Sequence, residues 1–287
     1  MGGASSTFVG KYPMQDLLTP KLSRPDSRAM TPAEMRRRAR VIASAPRFAV
    51  ISDIHGNLEA LRAVLADLRR RGVSGVICLG DIAGYGPQAH ECLELLRRWD
   101  VPCLRGNHEE YVGGSGPLPW ELSIEAAEAA VAGRRELPAA DRRRLRCLPL
   151  TFEAGGFAFV HASYPDPSAW CYVREERDAA VHLAAQPTPV SFHGHTHRQG
   201  GWREGEAGME RLAGERIVRL RPDRRAAFNP GSVGQPRDGD PRAAFLICDR
   251  ERGRIEFRRV RYAVANAVRA YRAAGREEMG LRLKVGR

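Results

Sequence analysis

His193, His195 and His197, with Gly194 and Thr196 between them, place three of the chain's eight histidines within five positions. In an extended strand alternate side chains share a face, so this spacing aims three imidazoles at one spot. A metal ion fits such a spot, and a polar strand end facing solvent is the alternative that the spacing alone leaves open. Three more clusters carry chemistry: Asp53-Ile54-His55, Gly80-Asp81 and Gly106-Asn107-His108-Glu109. Taken singly, each has a structural reading, because an Asp after a strand commonly caps a helix and a Gly-Asn pair commonly makes a turn. Taken together they recur on one beat, with 24 residues between His55 and Gly80 and 24 between Asp81 and Gly106. Two carboxylates, an amide oxygen and several imidazoles without a thiolate favour Mn, Fe, Zn or Ni over a structural zinc.

The elements that must position these residues alternate in the first half. Arg47–Ser52 reads as a short buried strand, Asn57–Arg71 as a helix with Leu58, Leu61, Val64, Leu65 and Leu68 on one face, and Val76–Leu79 as a second strand. A helix opened by Pro87 and a third strand at Val101–Leu104 repeat the pattern. Strand-helix alternation predicts a parallel sheet with ligands at the carboxyl ends of its strands, where the three clusters lie. A helical stretch from Glu121 to Cys147 follows, and Gly155-Gly156 predicts a hairpin between Leu150–Glu153 and Phe157–Val160. Further strands are expected at Thr188–Phe192, Arg216–Leu220, Ala243–Cys248 and Ile255–Tyr262, with a closing helix over Val264–Ala274.

Residues 1–46 read as a flexible basic arm with a short helix over Thr31–Ala43, introduced by the capping-box spacing of Thr31 and Glu34 with Pro32 between. Residues 47–287 then form the folded domain. Met1-Gly-Gly-Ala-Ser-Ser6 fits a loose myristoylation pattern, but nothing else in the chain points to a membrane. With no long apolar run, no secretion signal and six scattered cysteines, the sequence reads as cytoplasmic, without disulfides. The net charge of +12 is concentrated in residues 1–46 and 262–287 and is nearly all arginine, which we read as solvated surface charge and not as a nucleic-acid site.

Asp53-Ile54-His55, Gly80-Asp81, Gly106-Asn107-His108-Glu109, His161 and Gly194-His195-Thr196-His197 follow, in order, the pattern of calcineurin-like metallophosphoesterases, which the chain resembles from about Arg47 onward. Ser52–Asn57, Gly84–Pro87 and Asn229–Arg237 resemble the small single-domain bacterial and archaeal branch. The resemblance implies an α/β (α+β) fold: a four-layer αββα sandwich of mixed central sheets flanked by helices, with a two-metal centre. It implies Asp53, His55 and His197 on one divalent transition-metal ion, manganese foremost, and Asn107, His161 and His195 on a second. Asp81 bridges the two, His193 orients other residues, and His108 is the general acid. In the family the turn at Asn229 lies near the metals, so Ser232 or neighbouring amides, and Arg237, are candidates to hold phosphate. Tyr164, Trp170 and Tyr172 could stack on a base, with core burial as the alternative for Trp170.

The activity implied is hydrolysis of phosphodiesters or nucleotides, including dinucleoside polyphosphates, by in-line attack of hydroxide shared between the ions. A phosphorylated small molecule or nucleotide is the expected partner. Two departures stand out. The phosphate-gripping arginine of Ser/Thr protein phosphatases has no counterpart in Gly84-Tyr85-Gly86, and Ala162 replaces a common glycine after His161. A protein phosphatase, or a protein-binding scaffold that keeps the metal site, is the alternative activity.

Overall fold

The computed structural model describes residues 32–287; the earlier part of the expected arm, including the myristoylation-like pattern, lies outside the described residues. Helix α1 (Pro32–Ser44) does not behave as part of an arm: Ile42, and Ala45 just after the helix, are buried in the core, and Arg38 Nε donates to Asp100 at 3.0 Å. Strand β1 (Arg47–Ile51) leads to α2 (Leu58–Arg70), where Asn57 caps the helix by accepting from Ala60 N. Strand β2 (Gly75–Cys78) and α3 (Ala89–Arg98) follow. The expected third strand at Val101–Leu104 shrinks to one bridge between Cys103 and Cys78, because Pro102 has no N–H to extend a ladder.

Helix α4 (Asn107–Gly113) then precedes α5 (Ile124–Glu136) and α6 (Ala139–Arg146). The helical stretch expected here divides at Pro138, which cannot continue the hydrogen-bond ladder of α5. Strands β3 (Thr151–Ala154) and β4 (Phe157–Val160) form the predicted hairpin, Gly155 and Gly156 taking φ of 60° and 84°. The chain continues through α7 (Glu176–Ala185), β5 (Val190–Phe192), β6 (Gln199–Glu204), β7 (Met209–Leu212), β8 (Ile217–Arg219) and β9 (Ala226–Pro230). It closes with β10 (Ala243–Asp249), β11 (Arg254–Val260), α8 (Val264–Ala273) and α9 (Glu277–Arg282).

Two mixed sheets result, β2-β1-β10-β11-β8 and β3-β4-β5-β9-β6-β7. Strand alternation sorts their side chains: Phe48 and Val50 of β1 face the second sheet, while Ala49 and Ile51 face α2 and α3. The layer between the sheets is aromatic, with Phe48 edge-on to Phe157 at 5.3 Å and Phe159 stacked on Phe192 at 5.3 Å. Helices α2 and α3 cover the first sheet, α8 packs on α2 and α9, and α7 lies against β7 and β9 of the second. This is the expected αββα order. The carboxyl ends of the parallel strands β1 and β2, and of β4, β5 and β9, open on one shared edge.

Candidate metal centre

The loop after β1 is stitched to the loop after β2 by backbone bonds, Asp53 N to Gly80 O at 3.0 Å and His55 N to Asp81 O at 2.8 Å. Tight packing of two such loops forces an unusual backbone. Among the described residues seven non-glycine positions have left-handed φ, and five of them are Asp53, His55, Asp81, His195 and His197. Strain of this kind costs of order 1–3 kcal/mol per residue and persists where surrounding structure imposes it.

The imposed geometry brings two sets of polar atoms together. Asp53, His55, Asp81 and His197 each offer one atom, all within 4.8 Å of one another, and so do Asp81, His161 and His195. Asp81 belongs to both sets, with Oδ2 3.6 Å from His55 Nε2 and 3.4 Å from His161 Nε2. Asn107 Oδ1 lies 3.2 Å from His161 Nε2. All of these side chains are buried.

Ring tautomers show what the sets lack. His55 Nδ1 donates to Ala83 O at 3.0 Å and His197 Nδ1 to Gln235 O at 2.7 Å, which leaves both Nε2 atoms as bare acceptors in the neutral rings. Those two nitrogens face each other at 3.0 Å. Asp53 Oδ1 is buried without a hydrogen-bond partner. Acceptors turned toward one another repel unless a cation lies between them, so the residues fit a divalent ion at each set.

Protonation states agree. Burial holds His55, His195 and His197 well below the ordinary imidazole value, in the neutral form that ligates metals. Burial also pushes Asp53 up to about 7. His161 is the exception: burial would lower it, but Asp81 and Asp53 push it up to about 9. Positive charge is therefore favoured at this point, and a bound cation would replace the proton.

A second ring of residues holds these groups in place. The Glu109 carboxylate accepts from Asp81 N at 2.6 Å, Ile82 N at 2.8 Å, Ala83 N at 3.1 Å and Gly106 N at 2.8 Å. Asn229 Nδ2 donates to Gly194 O at 2.8 Å and to Thr196 Oγ1 at 3.1 Å, fixing the loop that carries His195 and His197. Gly84 leaves room for rings: a Cβ there would lie 2.6 Å from His108 Nδ1 and 2.7 Å from His55 Nδ1. Tyr85 packs against both His55 and His108 at 4.8 Å, and Tyr172 stacks on His195 at 4.0 Å.

A family model described as the calcineurin-like phosphoesterase superfamily domain matches residues 47–253. The chain belongs to this superfamily. As a calcineurin-like phosphoesterase it is a hydrolase acting on phosphoester bonds, and its family and buried clusters together mark a divalent metal site. An uncharacterised protein of Methanocaldococcus jannaschii is 37% identical over 225 residues, covering 76% of this chain and 89% of that protein. A metallophosphoesterase from Sphaerobacter thermophilus superposes with a TM-score of 0.74 at 37% identity, over 85% of this chain and 100% of the other. A hypothetical protein from Pyrococcus horikoshii shares the fold, with a TM-score of 0.66 at 19% identity over 84% and 98% of the two chains.

The phosphoesterase edge gathers Asp53, His55, Asp81, Asn107, His108, His161, His195 and His197. His193 is outside both sets; its Nδ1 meets Asn229 Nδ2 at 3.3 Å. Ser232 has a different task from the phosphate contact expected of it. Its fully buried hydroxyl donates to Asp53 O at 2.7 Å and accepts from Gln235 N at 2.7 Å, so it shapes the loop that carries Asp53. Trp170 is half-buried and not in the core, edge-on to His161 at 6.0 Å, and Tyr164 packs on His182 instead of the centre. The supporting roles of Glu109 and Asn229 are not among the sequence expectations. Glu109 carries a partial signal, as an N3 acid whose carboxylate accepts from the N-cap backbone N–H of Gly106. Asn229 is marked only by the resemblance of Asn229–Arg237, since Asn-Pro by itself reads as an ordinary turn.

Proposed function

We propose that this phosphoesterase cleaves phosphodiester or nucleotide substrates with two divalent transition-metal ions, manganese foremost. The observation that carries the reading is that two buried ligand sets share one carboxylate, Asp81. Asp53, His55 and His197 would hold one ion and Asn107, His161 and His195 the other, with Asp81 common to both sets. When bound, the pair supplies hydroxide at neutral pH and neutralises charge on the phosphoryl oxygens.

The chain's own residues do the rest. Hydroxide would add to phosphorus opposite the leaving oxygen, forming one P–O bond as the P–O bond to that oxygen breaks, and His108 supplies the proton the leaving group needs. His108 is held for the task by its backbone N–H on Asp81 Oδ1 at 3.0 Å; burial lowers its pKa and the Asp81 carboxylate raises it, so its protonated form depends on nearby negative charge. Arg237 grips non-bridging oxygens. Its backbone N donates to His197 O at 3.1 Å, and its guanidinium lies over Tyr85 at 5.5 Å. It thus brings a cation from the β9–β10 loop to the neighbourhood where Gly84-Tyr85-Gly86 supplies none. Six free cysteines fit a reducing cytoplasm, and no helix among the described residues is long and apolar enough to cross a membrane.

Hydrolysis of bis-p-nitrophenyl phosphate with added Mn²⁺ tests the reading. Turnover that chelation abolishes and Mn²⁺ restores is expected. A folded, metal-loaded sample that turns over neither this diester nor a nucleotide would overturn it.

A further inference from the structure

Three of the four imidazoles in the ligand sets are steered by a backbone carbonyl at the nitrogen that faces away from the set. His55 and His197 use Ala83 O and Gln235 O, and His161 Nδ1 meets Leu79 O at 3.2 Å. Outer hydrogen bonds of this kind fix the tautomer and the rotation of a metal-ligating ring. His195 is the exception. It turns Nδ1 toward His161 Nε2 at 3.3 Å, and its Nε2 has no hydrogen-bond partner among the described residues. Its backbone is held, with φ of 67° and N donating to Asp53 Oδ2 at 3.2 Å, but this leaves the side-chain torsions free.

A flat face stands where the outer bond is missing. The Tyr172 ring lies 4.0 Å from the His195 ring and 14° from parallel to it, and the Arg174 guanidinium carbon lies 3.5 Å from the Tyr172 centroid. Two groups so close to one centroid must occupy opposite faces, so Tyr172 is sandwiched between a cation and the imidazole. The loop that presents the ring is anchored just beyond it, where Val173 is buried and Arg174 N donates to Asp178 Oδ2 of α7 at 2.9 Å. The neighbouring Trp170 makes a useful contrast: it stands edge-on to His161 at 6.0 Å, and that imidazole already has Leu79 O.

We infer that Tyr172 is a positioning residue for one ion of the centre, its ring face orienting the His195 imidazole in place of a hydrogen bond. The inference rests on the two-ion reading above. Stacking acts through the plane of the ring, so the tyrosine hydroxyl is dispensable and phenylalanine should serve as well.

The test is titration of metal-free full-length protein with Mn²⁺, followed by calorimetry and by electron paramagnetic resonance, which tells a spin-coupled pair of ions from isolated ones. Tyr172 is only half-buried, and circular dichroism checks the fold of each variant. Tyr172→Leu keeps apolar bulk and removes the flat face. One of its two Mn²⁺ equivalents should bind roughly tenfold or more weakly, with the other changed by less than about threefold. At a Mn²⁺ concentration that saturates wild type, its coupled signal should give way to that of isolated ions. Tyr172→Phe and Trp170→Ala should both stay within about twofold of wild type, the first because the face is retained and the second because His161 has its own anchor. Wild-type binding in Tyr172→Leu, or an equal loss in Tyr172→Phe or in Trp170→Ala, overturns the positioning role while the wild type still takes up two coupled ions. A wild type that binds a single Mn²⁺ with no coupled signal is the separate result that removes the two-ion reading.

Discussion

Glu109 Oε2 accepts the backbone N–H of Asp81 at 2.6 Å, so the residue shared by both ligand sets is held by a carboxylate that belongs to neither. Three more N–H groups converge on the same buried side chain. In Glu109→Gln an amide NH₂ replaces one acceptor and points hydrogen at two of those donors. The expected cost is on the order of 2–4 kcal/mol of stability, from buried donors left unsatisfied. Metal affinity should fall roughly 10–100-fold, as supporting residues around metal ligands typically show. Denaturant unfolding and Mn²⁺ titration measure the two effects, and wild-type affinity in the variant would remove the positioning role.

Gly106→Ala probes the same corner without touching charge. Gly106 has an ordinary φ of −96°, so no backbone strain arises, but a Cβ would lie 2.2 Å from Asp81 Oδ1. The Cβ would also lie 2.8 Å from Asp81 N, so the loop backbone must move as well as the carboxylate. Mn²⁺ affinity is expected to drop more than tenfold in a protein whose circular dichroism stays native; intact binding would show that Asp81 has freedom the packing denies it.

His108→Ala separates chemistry from metal retention. The ring is outside both ligand sets, so bound metal per chain should be unchanged while turnover falls by roughly 10²–10⁴. Loss of metal in step with activity would reassign His108 to holding the centre together.

Away from the site, Glu256 predicts part of the acid sensitivity of the fold. Burial alone would raise its pKa, but Arg258 and Arg254 more than reverse this and hold it below the ordinary value of 4.5. A depressed carboxylate contributes stability that is fully present above its unfolded value and is lost as pH falls through the folded one. Glu256→Gln should therefore cost about 1–3 kcal/mol at pH 7, with the gap to wild type closing below about pH 4. A gap independent of pH in urea unfolding would contradict the ion-pair assignment.

The clustering of the polar residues is legible in the sequence, as is the sandwich that gathers them. Asp53, His55, Asp81 and Asn107 follow strands or strand-like segments at a regular beat, and the chemistry of a ligand restricts its identity more tightly than packing restricts a core residue. Elements escape a sequence reading where no periodicity marks them. Strand β9, Ala-Ala-Phe-Asn-Pro, is buried on both faces in mid-sheet and does not alternate, and its last two residues resemble a turn. Strand β6 begins Gln-Gly-Gly and draws its stability from pairing with β9, a partner distant in sequence, as the Gln199–Pro230 and Arg203–Ala226 pairs show. Ser232 misleads for a related reason: a hydroxyl near metals reads as free until its two hydrogen bonds are seen.

Asp81 is expected to join two ions in one centre. Crystals of the full chain grown with excess Mn²⁺ and measured at the manganese absorption edge test it directly. Two anomalous peaks about 3.5–4 Å apart, each within bonding distance of the Asp81 carboxylate, are expected. A single peak at saturating Mn²⁺, or two peaks of which Asp81 touches neither, would contradict it.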